Sequence, residues 1–134
     1  MLIVGLVSFF LFLFFQVTGI FGGDTGDLVT AAYLGGVPHP PGYPLYTLVG
    51  WLLAKLPIST VVWRVTLLSS IPHAVTATLV YWLVRHITKR TIPAVFAVSV
   101  LVGNYLFFLY SITPEVFALF DLFTIALVCL MVRW

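Results

Sequence analysis

Leu2 to Phe21 is an apolar run interrupted only by Ser8, Gln16 and Thr18. As a helix rising 1.5 Å per residue it reaches about 30 Å, one hydrocarbon thickness. A cleaved signal peptide is the rival reading. It fits less well, because no basic segment precedes the run, the run exceeds an ordinary signal core, and no A-x-A site follows. The rest of the chain obeys the same constraint. Of 134 residues 62% are hydrophobic and 7% charged, against about 25% charged in soluble domains. No ordinary water-facing surface can be built from this composition, so the expected class is an all-α polytopic membrane protein, integral and multi-pass, with membrane lipid as its surroundings.

At about 20 residues per span the length accommodates about four transmembrane helices. The apolar segments place them at about 2–21, 61–84, 93–110 and 116–132, with a loop over 22–60, all within one membrane module, residues 1–134. The end of the sequence at an apolar run, Met131 to Trp134, reads as the N-terminal part of a longer enzyme. Gln16 is read as a residue bonding helix to helix. Pro72 predicts a kink in the second span, and His73 beside it is read as a packed polar residue before a pathway residue. The lone Cys129 excludes a disulfide framework or thiolate cluster within the chain. Six cations and four anions are too few and too scattered for a nucleic-acid footprint.

Position of charge is more informative than number. Arg85, Lys89 and Arg90 fall between the second and third spans and Arg133 follows the fourth, which makes those ends, and the N-terminus, cytoplasmic. Asp24, Asp27, His39 and Glu115 then share the extracytoplasmic side, with Asp121 nearby. Lys55 and Arg64 are the cations on that side. Gly22 to Pro44 is the densest polar stretch there. Asp24-Thr-Gly-Asp27 precedes a short helix ended by Gly35-Gly36, and Val37-Pro-His-Pro-Pro-Gly-Tyr-Pro44 is too rich in proline for helix or strand, which fixes His39 and Tyr43. Leu45 to Leu56 is too short to cross and suits an interfacial helix.

Carboxylates at a bilayer edge suit attack by an aqueous acceptor on a donor anchored in lipid. Glycosyl transfer of that kind needs a base for the acceptor hydroxyl and cations for the departing phosphate. Asp24 or Asp27 is the candidate base, His39 an orienting group, and Lys55 or Arg64 a phosphate partner. The plainer reading makes Asp24 an N-cap and Asp27 its first-turn companion, and the histidine structural. No metal ligands are assigned, and a divalent cofactor at the acids stays an open alternative.

Gly23-Asp-Thr-Gly-Asp27, Ala31-Ala32-Tyr33 and Gly36-Val-Pro-His-Pro-Pro-Gly-Tyr-Pro-Leu45 together resemble a family of polytopic membrane proteins catalogued as a domain of unknown function and related to transmembrane protein O-mannosyltransferases. The family pattern reads roughly W-D-x-G-E-[FL]-x-x-A-A-[YF] and then G-V-x-H-P-P-G-Y-P-L. Pro114-Glu-Val-Phe-Ala-Leu119 resembles its A-E-V-Y-A-L segment. Here Gly23 replaces the aromatic residue before the first acid, and Asp27 replaces a glutamate. The resemblance implies a GT-C-like N-terminal module and a sugar transferred from a polyprenyl-phosphate donor to a hydroxyl of a protein or glycan acceptor. It further implies catalytic Asp24 and Asp27 and substrate-binding roles at His39, Tyr43 and Glu115. The membrane is a bacterial or archaeal plasma membrane or the endoplasmic reticulum. A non-catalytic transporter or scaffold, or an inactive fragment, is the alternative; a transporter should keep its ionisable groups near midplane, as Asp121 alone is placed.

Overall fold

The computed structural model describes residues 1–134 as seven helices without a strand: α1 Leu2–Phe15, α2 Thr25–Leu34, α3 Pro44–Ala54, α4 Val61–Thr88, α5 Thr91–Gly103, α6 Tyr105–Ile112 and α7 Phe117–Arg133. The axis of the molecule is α4, which packs against all six others. Its 28 residues make it the one single helix long and apolar enough to cross a membrane. Thr60 starts it, the side-chain oxygen accepting the Trp63 N–H at 3.2 Å. Pro72 lies inside without ending it.

Small and hydroxyl side chains let the neighbours approach α4. A methyl group at Gly5 of α1 would collide with the Thr78 hydroxyl of α4, so the bare glycine sets that crossing. Leu28, Val29 and Ala32 of α2, Tyr46 and Ala54 of α3, and Val62, Val65 and Leu68 of α4 form the largest buried cluster, which seats the loop helices on the long helix. Phe12, Ala74 and Phe107 knit α1, α4 and α6.

Two helix limits differ from the sequence expectation, each for a local reason. Continuous helix was expected over 2–21, but α1 ends at Phe15. The following groups bond outward instead: Gln16 Nε2 donates to the Trp63 carbonyl, Gln16 Oε1 accepts from Ser70, and the Val17 N–H donates to the Ile112 carbonyl at 3.0 Å. Gln16 thus has the interhelical role its residue type suggested. The expected helix over 93–110 is two helices, α5 and α6, bent by 69°. Asn104 makes the break, its extended backbone stopping α5 while its Oδ1 accepts from the Leu106 and Phe107 N–H groups, both at 3.1 Å. The helices at the other two expected spans run over 61–88 and 117–133.

Candidate functional site

The site is built on the loop between α1 and α4. Helix α2 closes at Gly35, whose left-handed backbone (φ 68°) lets its N–H and that of Gly36 return to the Ala31 carbonyl. The chain then turns back along Val37 to Tyr43, with a cis bond between Pro40 and Pro41 and the Gly42 N–H bonded to the His39 carbonyl at 3.0 Å. Tyr43 carries a left-handed backbone (φ 39°) at the N-cap of α3, and Pro44 occupies the first helical turn, where its missing N–H is harmless.

That path returns His39 to the start of α2. The backbone N–H of His39 donates to Asp27 Oδ2 at 2.8 Å, and its ring Nδ1 lies 2.7 Å from the same oxygen. On the other side of the ring, Nε2 is 3.6 Å from Asp24 Oδ2. The Tyr43 ring meets the imidazole edge-on at 5.6 Å. Asp24 does stand at the N-cap position, but its side chain makes no cap bond. Both aspartates turn toward the histidine. The two bonds from His39 hold the Asp27 carboxyl below its ordinary pKa, the backbone N–H contributing most. All three side chains keep substantial exposure, 63% for Asp24, 48% for Asp27 and 38% for His39, so a substrate can reach them.

Glu115 approaches from the turn between α6 and α7. Ser69 of α4 fixes it, accepting the Glu115 N–H at 3.0 Å and donating to its carbonyl at 3.2 Å. Burial raises the Glu115 carboxyl pKa, and the charge of Asp24 raises it further. The carboxylate lies beside Gly23, the residue before Asp24, where a Cβ would be 3.8 Å from Glu115 Oε1. No three of these side chains converge as ligands of one metal ion.

Residues 24–134 match the family model for the N-terminal domain of protein O-mannosyl-transferase TMEM260. The chain belongs to this family. Among curated relatives, protein O-mannosyl-transferase TMEM260 of Mus musculus is 41% identical over 114 residues, 84% of this chain and 16% of that protein. Protein O-mannosyl-transferase tmem260 of Dictyostelium discoideum is 31% identical over 123 residues, 86% of this chain and 14% of that protein. The chain therefore spans about one-sixth or less of these relatives. No solved structure matches it.

Within this TMEM260-type domain, the arrangement does not bring Lys55 or Arg64 to the acids. Tyr43 and Lys55 cap opposite ends of α3, about 18 Å apart along its axis. The Lys55 ammonium sits 5.1 Å over the Trp51 ring. The Arg64 guanidinium donates to the backbone carbonyls of Thr60, Ala54 and Leu56, which staples the α3–α4 connection.

A second polar group lies deeper. His73, fully buried, has Nδ1 2.8 Å from Ser111 Oγ and Nε2 3.2 Å from Asp121 Oδ2, with Phe107 against its face at 4.2 Å. Burial and these bonds fit the packed role read for His73. Its partners lie 38 and 48 residues away, and nothing in the sequence pairs either of them with it.

Proposed function

We propose that this chain is the N-terminal, base-bearing module of a GT-C-like membrane glycosyltransferase, a mannosyltransferase taking its sugar from a polyprenyl phosphate. The relatives' names support the class of reaction, and the observation that carries the reading is the convergence of Asp24 and Asp27 on His39. Two acids that only capped α2 would turn to its free N–H groups.

The division of work follows from the partners. Asp27, committed to two donors of His39 and held ionised, is a poor proton acceptor and a good positioning group. Asp24 is the most exposed of the three and has no cap bond to give up, so it is the base. The acceptor hydroxyl loses its proton to Asp24 as its oxygen bonds to the sugar anomeric carbon. The bond from that carbon to the lipid phosphate breaks, and the phosphate leaves with the electron pair, giving inversion. His39, oriented by Asp27, places its Nε2 beside the Asp24 carboxylate, 3.6 Å from Oδ2, and lines the path by which the acceptor approaches.

The reading includes four crossings with the N-terminus in the cytoplasm and the 22–60 loop outside. Support comes from outward apolar side chains on the shorter helices, such as Leu2, Ile3 and Phe14 of α1 and Phe120, Leu127 and Met131 of α7. The bent α5–α6 pair serves as one broken crossing.

The donor class is tested by offering membranes containing the expressed protein either radiolabelled polyprenyl-phosphate mannose or the same sugar on a nucleotide. Transfer from the lipid donor alone is the expected result. Transfer from the nucleotide sugar, with the lipid donor untouched, overturns the donor assignment, and consumption of neither overturns the transferase reading.

A further inference from the structure

Helices α1 and α5 both pack on α4 but hardly approach each other, which leaves a groove of about 710 Å³ between them. Val4, Val7 and Leu11 form one wall and Val95, Val98 and Val102 the other, while Tyr105 of α6 bounds one end, just past the break from α5. No charged side chain lines it. The groove lies between two of the proposed crossings, so either hydrocarbon or another helix fills it.

Three small residues decide between the two. Ser99 and Gly103 stand four apart on one face of α5, in the groove wall, and a Cβ on Gly103 would meet nothing within 4 Å. An acyl chain packs as well on valine as on a bare backbone, whereas a small residue every fourth position lets a second helix backbone come close. Ser8 is the independent sign. It lines the α1 wall at 4% exposure and its hydroxyl has no partner, while Ser99 bonds back to the Val95 carbonyl at 3.0 Å. Buried hydroxyls are nearly always bonded, and hydrocarbon offers no acceptor. A neighbouring helix supplies one, and hydroxyl bonds of this kind join helices in membranes.

The matched relatives carry more than four-fifths of their length outside the aligned part. We propose that the α1–α5 groove seats a further transmembrane helix of the same polypeptide, C-terminal to residue 134, with its backbone against Ser99 and Gly103 and one of its oxygens accepting from Ser8. This rests on the longer-enzyme part of the functional reading and not on its chemistry. Val95 to Gly103 rises about 12 Å, so contact extends over about two turns.

The test uses the full-length protein in its membrane, with a benzophenone amino acid in place of Val95 and peptide mapping of the photoproducts. A crosslink to a transmembrane segment C-terminal to residue 134 is expected, and two differently tagged copies expressed together show whether it joins one copy or two. Gly103→Leu, whose side chain enters open space within residues 1–134, should reduce that product about ten-fold by filling the seat. Val100→Leu, on α5 outside the groove, should leave it unchanged. Alanine is the better helix former, so with no bond to lose Ser8→Ala should raise the melting temperature; a fall of about 1–2 °C is expected instead. Photoproducts confined to residues 1–134 or to lipid, a crosslink between copies, a product indifferent to Gly103→Leu, or a melting temperature that Ser8→Ala leaves unchanged or raises overturns the proposal. A protein that makes the crosslink but transfers no sugar keeps the seat and loses the transferase, and an active transferase without the crosslink does the reverse.

Discussion

Replacing His73 by alanine should loosen the turn that presents Glu115. The imidazole joins α4 to Ser111 at the end of α6 and to Asp121 of α7, so it ties both helices flanking Thr113 to Val116. Two hydrogen bonds are lost, together about 2 kcal/mol at the usual net value. Truncating a fully buried ring adds a cavity term of about 2 kcal/mol, the low end of the large-to-alanine range, because imidazole is smaller than a phenyl ring. Neither partner is stranded: Ser111 keeps the Phe107 carbonyl at 2.6 Å, and the Asp121 side chain is 40% exposed. The expected loss is therefore about 4 kcal/mol, about 15 °C in melting temperature for a domain of this size. His73→Leu restores most of the volume and should recover about half of the loss. Denaturation in detergent, with hydrogen exchange at residues 113–119, reads both effects. A loss below about 1 kcal/mol for alanine, or leucine as harmful as alanine, would refute the view of His73 as the link between these helices.

Other outcomes follow from single contacts. Thr60→Ala removes the cap of α4 and the 2.7 Å bond to the Thr18 carbonyl, and should lower stability by about 1 kcal/mol in the same denaturation assay. Asn104→Ala frees two N–H groups at the start of α6 and should reduce the α5–α6 bend, read as a longer distance between spin labels at Phe96 and Leu109. The folded-state pKa of Glu115 lies above its unfolded value, so its contribution to stability is full below the unfolded pKa and falls as pH rises through the folded one. Glu115→Gln should remove that decline from melting curves taken across pH. Asp27 has the opposite sign: its contribution is present above the unfolded pKa and lost as pH falls through the lower folded value. Asp27→Asn should flatten the acid limb.

Much of this architecture is legible because its signals are local. Gly35-Gly36 ends α2 and the proline run forbids regular structure over 37–44, each through the backbone preferences of a few residues. The breaks at Phe15 and Asn104 were missed because apolar content continues across both. What decides them is a long-range bond in one case, Gln16 to Trp63 and Ser70, and a competing side-chain cap in the other. At the site, sequence placed Asp24, Asp27 and His39 on one loop but could not choose between capping and convergence, since D-x-x-D permits either. The choice depends on how the chain turns between Gly35 and Tyr43. Lys55 and Arg64 share the loop with the acids by sequence, yet a helix length separates the Lys55 end of α3 from the His39 end.

The assignment of Asp24 as base and Asp27 as positioning group is tested most directly by release of lipid phosphate from radiolabelled polyprenyl-phosphate mannose in membranes carrying equal amounts of wild type, Asp24→Asn or Asp27→Asn. Loss of a general base predicts a fall of about 10²–10⁴ in turnover for Asp24→Asn. Asp27→Asn should fall less, with a KM change as His39 loses its anchor. Wild-type turnover in both variants, with the protein inserted normally, would contradict the account and return the two aspartates to a structural role.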